Sequence, residues 1–76
     1  MTRIELQTIR AGCNEVEGYK EDGYRFVHRY NEPHNCYSII LQHPRTLRRL
    51  IVTVQPLWGM VLIKEGKQIL KVITFN

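Results

Sequence analysis

Cys36-Tyr37-Ser38-Ile39-Ile40-Leu41-Gln42, then His43-Pro44-Arg45-Thr46, then Leu47-Arg48-Arg49-Leu50-Ile51-Val52-Thr53-Val54-Gln55 reads as strand, turn, strand. Both flanking runs are rich in β-branched residues and are of strand length. Pro44 presets the backbone angle of the turn between them. In the second run Leu50, Val52 and Val54 form an apolar face opposite Arg49, Ile51 and Thr53, the period of two expected of a strand packed on one side.

The same texture continues on either side of this hairpin. Further short runs occupy 24–30, 60–64 and 69–75, separated by Asn31-Glu32-Pro33-His34-Asn35, Gln55-Pro56-Leu57-Trp58-Gly59 and Lys64-Glu65-Gly66-Lys67. Gly66 can take the positive φ that a tight hairpin demands. Connections this short favour antiparallel neighbours over parallel crossovers. The last two runs are apolar on both sides, Met60/Leu62 with Val61/Ile63 and Leu70/Val72 with Ile69/Ile73. Such strands are sandwiched within the fold or lie at a subunit interface. In 24–30, strict alternation places Tyr24, Phe26, His28 and Tyr30 on one face and Arg25, Val27 and Arg29 on the other. The aromatic row is then either the inner face of the sheet or a platform on which unpaired bases stack.

Residues 2–17 admit two readings. As a helix, Thr2 and Glu5 have capping-box spacing, and Leu6, Ile9, Cys13 and Val16 recur on one side. Against it, Gly12 costs ~1 kcal/mol relative to Ala. As a strand, Thr2, Ile4, Leu6 and Thr8 alternate. The helix, beginning near Arg3, is the preferred reading. The expected fold is therefore mainly β (α+β): one small domain, 1–76, with an antiparallel sheet or small half-open barrel of about five strands and a short N-terminal helix.

A chain of 76 residues with 43% hydrophobic and 24% charged side chains has the composition of a folded domain, not of a disordered one. It is near the lower size limit for a single core, which makes a homo-oligomer a natural source of added stability. No apolar run approaches the ~18–20 residues of a membrane span, and no export signal is evident. The expectation is a cytoplasmic protein without membrane association, with Cys13 and Cys36 as reduced thiols.

Charge is unevenly spread. Residues 1–32 carry five basic and six acidic side chains, and residues 33–76 carry six basic and one acidic. A basic portion of this kind suits an anionic partner, most often nucleic acid. Its densest part is His43-Pro44-Arg45-Thr46-Leu47-Arg48-Arg49, where guanidinium groups at a hairpin tip could grip phosphate. Arg48 and Arg49 point to opposite faces if the strand has already begun. The leading expectation is a non-enzymatic nucleic-acid-binding module using Arg45, Arg48 and Arg49, helped by Arg25, Arg29 and His43.

Two other classes compete with it. One is a protein-interaction or regulatory module, an inhibitor for example, acting through the apolar C-terminal strands. The other is a small metal-independent ribonuclease drawing on His28, His34 and His43 with Glu32 and Arg45, although no spacing forces these residues together. Cys13, His28, His34 and Cys36 make up a Cys₂His₂ inventory but contain one close pair where structural zinc sites show two. No cofactor motif is present, so no metal or cofactor is expected. Trp58 is either an interface anchor or a cap on the core. Glu15, Glu17, Glu21 and Asp22 read as a solvated acidic face.

Overall fold

Arg3–Glu21 forms a single helix, α1, in the computed structural model, which describes residues 1–76. Its start is the capping box. The Thr2 hydroxyl accepts from the Glu5 N–H at 3.1 Å, and the Glu5 carboxylate accepts from the Thr2 N–H at 3.3 Å. Two otherwise orphaned helix donors are thereby satisfied. The helix runs 19 residues, straight through Gly12, and is longer than the short segment expected.

Gly12 explains both that continuation and the way the helix is turned. A Cβ at this position would lie 2.5 Å from Val54 Cγ2. The propensity lost at glycine is exchanged for a close approach of helix to sheet. The packed stripe is accordingly Thr8, Gly12 and Val16, whereas Leu6 and Cys13 of the expected stripe are exposed. The buried Thr8 hydroxyl donates to the Ile4 carbonyl at 2.6 Å, so its burial leaves no polar atom unpaired.

The strands are β1 (Arg25–Asn31), β2 (Tyr37–Gln42), β3 (Arg49–Gln55), β4 (Met60–Glu65) and β5 (Gln68–Thr74). They form one antiparallel sheet in the order β1-β2-β3-β4-β5. A 3₁₀ turn, Pro56–Trp58, joins β3 to β4. The sheet does not close, because β1 and β5 are its two edges. Helix α1 crosses one face, chiefly over β3, the 3₁₀ turn and β4. Pairing of Val52 with Ile63 and of Val54 with Val61 brings these four side chains to that face. With Leu41 and Val16 they make the core. No helix is long and apolar enough to cross a membrane.

Two turns have positive-φ residues where the geometry requires them. Gly66, with φ 59°, opens the two-residue turn between β4 and β5. His34 and Asn35, with φ 62° and 59°, are the central pair of the β1–β2 turn, in which the Cys36 N–H donates to the Pro33 carbonyl. Two successive positive φ values are what a type I′ turn needs.

Strict alternation fails in β1. Phe26 pairs with Leu41 and His28 with Ile40, leaving Val27 as an extra residue. This bulge splits the aromatic row. Phe26, Arg29 and Asn31 share the helix-bearing side with Leu41, Ile39 and Tyr37, while Arg25, His28 and Tyr30 share the other with Gln42, Ile40 and Ser38. The row is thus not the inner face of the sheet, and β1 is exposed along its whole length. A bulge and two arginines on an edge strand also discourage pairing with another chain.

Candidate nucleic-acid interface

The 43–48 turn is built by its own histidine. His43 Nδ1 accepts from the N–H groups of Arg45 (3.1 Å) and Thr46 (3.3 Å). The ring also meets Tyr24 edge-on at 5.2 Å. His43 is therefore part of the loop's frame, and Arg45 stands exposed at the tip with no side-chain partner.

The other arginines are sorted by strand parity. Arg48 faces the helix-bearing side, where its Nε and Nη2 donate to the two carboxylate oxygens of Glu65, each at 2.8 Å. That two-pronged bond lowers the Glu65 pKa and raises that of Arg48. Arg29 is on the same side, its guanidinium 4.2 Å above the Tyr37 ring. Arg49 and Arg25 are on the open side, flanking Gln42 in one cross-strand row. Arg49 donates to the Gln42 side chain at 3.1 Å, and neither arginine has an acidic partner.

Beyond this row, register builds the rest of the open face. The next row is His28, Ile40, Ile51, Lys64 and Ile69, and the one after is Tyr30, Ser38, Thr53, Leu62 and Val72. Lys64 is a third cation without an acidic partner. His28 and Tyr30 form an edge-to-face pair with centroids 4.4 Å apart, and Tyr30 is half exposed. Five of the seven acidic residues lie within 5–22, on α1 or just past its end, and Glu65 is spent on Arg48. Only Glu32 remains near the open face, where its carboxylate accepts from the Ser38 hydroxyl at 2.9 Å. Most acidic side chains thus lie on or beside α1, together with the basic Arg3, Arg10 and Lys20, while the open face carries three cations without an acidic partner and a single nearby carboxylate.

Of the residues singled out from the sequence, Arg25 and Arg49 come together on the open face, with Arg45 at the adjoining tip. Arg29, Arg48 and His43 are engaged elsewhere. Lys64, Glu32, Ser38 and Thr53 were not singled out as binding residues. The signal for Lys64 was its parity, since it follows Val61 and Ile63 of the core by an odd step.

A larger cleft of about 430 Å³ lies between the first half of α1 and the β1–β2 end, touching Glu5, Ile9, Arg29, Cys36 and Tyr37. Its charged side chains already have local roles, Glu5 in the capping box, Arg29 over Tyr37 and Glu32, which also borders the open face, as acceptor from Ser38. Burial pushes the Cys36 thiol pKa up, with the nearby Glu32 charge adding to the effect, which disfavours a reactive thiolate. The three histidines have different ring neighbours: Tyr30 for His28, Trp58 for His34 and Tyr24 for His43. No three His, Cys, Asp or Glu side chains gather as a metal-ligating group. Trp58 stays half exposed on the 3₁₀ turn and does not close the core. Comparison with protein-family models, curated proteins and solved structures finds no match to this chain.

Proposed function

We propose that this chain is a non-enzymatic module that binds single-stranded nucleic acid across the open face of its sheet, with the 43–48 hairpin at the rim. The observation that carries this reading is the company of cations and exposed aromatics on one uncovered face. Arg25, Arg49 and Lys64 lie unpaired on the uncovered face beside the His28–Tyr30 pair. Cations along such a surface track phosphates, and exposed aromatics stack unpaired bases. A duplex offers no free base faces to such a platform.

The test is fluorescence anisotropy with labelled single-stranded RNA, single-stranded DNA and duplex, at low and near-physiological salt. Single strands should bind more tightly than duplex, and binding should weaken with salt. The double variant Arg25→Ala/Arg49→Ala should lose affinity and flatten the salt slope by roughly 1–2. Arg48→Ala should leave binding close to wild type. Unchanged binding in the double variant would place the contact elsewhere, and a degraded probe would revive the ribonuclease.

A second reading draws on the opposite edge. Ile69, Leu70 and Val72 are exposed on β5, where Lys71 is the only charged residue. An apolar edge strand invites pairing with another chain. Light scattering would show a dimer that Val72→Lys dissociates without unfolding it. A monomer at all concentrations would remove the self-association form of this reading.

A further inference from the structure

We propose that the cleft on the open face is a base-reading pocket selective for guanine within a single strand, an inference that rests on the nucleic-acid reading above and extends it. The cleft holds about 290 Å³, with Tyr30 and Glu32 on one side, Lys64 on another, and Ser38, Thr53 and Ile40 between them.

Its selectivity follows from a hydrogen-bond chain whose direction is forced. Ser38 has one hydroxyl proton and donates it to Glu32 Oε1 at 2.9 Å. The 3.0 Å contact between Ser38 and Thr53 must therefore be donated by Thr53. The chain Thr53→Ser38→Glu32 ends on the carboxylate and holds it in place. Glu32 Oε2 has no hydrogen-bond partner in the protein.

An ionised carboxylate only accepts. The base that best fills it presents two adjacent donors. Guanine does so with N1–H and the N2 amine on its Watson–Crick edge. Adenine and cytosine offer an amine beside a bare ring nitrogen, which a carboxylate repels. Uracil and thymine flank their single N–H with two carbonyls. On the remaining edge guanine has the O6 and N7 acceptors, suited to an ammonium such as that of Lys64. Tyr30, braced edge-on by His28, supplies the stacking wall, and Ile40 supplies an apolar floor. Readout of an unstacked base by edge contacts plus an aromatic wall is a common mode of single-strand recognition.

The experiment uses the full chain and oligouridine probes of equal length, carrying one central guanine, adenine or cytosine. A single guanine per strand prevents quadruplex formation. The guanine probe should bind about 10-fold more tightly than the others, a typical discrimination for one well-made base contact. Glu32→Gln should abolish that preference yet keep salt-sensitive binding of every probe. Ser38→Ala should reduce the preference in part, because Glu32 loses its anchor. Equal binding of all probes by the wild type, or a guanine preference that survives in Glu32→Gln, would overturn the pocket while leaving the phosphate-binding face intact. Absence of any binding at low salt would overturn the face and the pocket together. Guanosine monophosphate binding as tightly as the strand would overturn it too, identifying a free-nucleotide site instead.

Discussion

The two faces of this sheet are made from the same strands, residue by alternate residue, and they differ in nearly everything else. Leu41 is fully buried beneath α1, while its neighbour Ile40 lines an open cleft between His28 and Ile51. Val52 and Val54 are sealed in the core, and Thr53 between them belongs to a polar network. One face is aliphatic and sits under α1. The other mixes hydroxyls, aliphatic side chains and cations that have no acidic partner. On the second face Ile40, Ser38 and Thr53 are themselves buried, and the exposed groups are Arg25, His28, Tyr30 and Arg49.

The largest test of that division is Leu41→Ala. Leu41 is 0 % exposed, and truncation of such a residue should cost about 2–5 kcal/mol in urea unfolding. A loss below about 1 kcal/mol would mean that the covered face is loosely packed. A second test makes one substitution on both faces. Val54→Thr places a hydroxyl in the sealed core and should cost ~1–3 kcal/mol, with little change of shape. Val72→Thr, on a side chain 49 % exposed, should change stability by no more than about 0.5 kcal/mol. If the two variants suffered equally, the open face would be covered by something, such as a second copy of the chain.

The contact distance between α1 and the sheet is tested by its glycines. At Gly12 the added methyl of Ala meets the stiff, buried Val54 at 2.5 Å. Overpacking of this kind costs about 1–3 kcal/mol, which outweighs a propensity gain of roughly 1 kcal/mol. Gly12→Ala should therefore destabilise slightly. Gly18→Ala has nothing within 4 Å and should stabilise by up to ~1 kcal/mol. Thermal melts of the two single variants give the comparison directly. A stabilised Gly12→Ala would show that the helix rides higher than its packing implies.

Much of the covered face was legible in the sequence, because each of its signals is local. The β-branched runs and their Pro and Gly punctuation marked the five strands, and Thr2 with Glu5 marked the start of α1. What was illegible depends on partners distant in the chain. Gly12 reads as a cost until Val54 is placed above it. The bulge at Val27 exists only in the pairing of β1 with β2, so alternation misassigned Phe26 to the side of His28 and Tyr30. Arg48 and Arg49 are adjacent in the chain, and parity alone suggested that they part. That Arg48 would be held by Glu65, 17 residues away, required the register of β4. The open face therefore had to be assembled from pairings, and half of its polar groups were recognised only then.

The smallest predicted effect separates those two arginines. Glu65 has its pKa lowered, chiefly by the hydrogen bond from Arg48. A carboxylate with a lowered folded-state pKa stabilises the fold fully above its ordinary pKa, and that contribution disappears as pH falls through the lowered value. The melting temperature gap between wild type and Glu65→Gln should be widest near neutral pH and close on the acid side. The gap will be modest, because the pair is exposed to solvent and salt screens it. Arg49→Gln has no acidic partner to lose, so its gap from wild type should not follow the carboxylate titration. A gap for Glu65→Gln that stayed constant with pH would mean that the pair contributes nothing as a pair. Nucleic-acid affinity should give the reverse ranking. Arg49→Gln removes a cation from the open face and weakens binding, whereas Glu65→Gln releases Arg48 and removes a negative charge, so binding holds or tightens. If both variants weakened binding equally, the two sides of the sheet would not be electrostatically distinct.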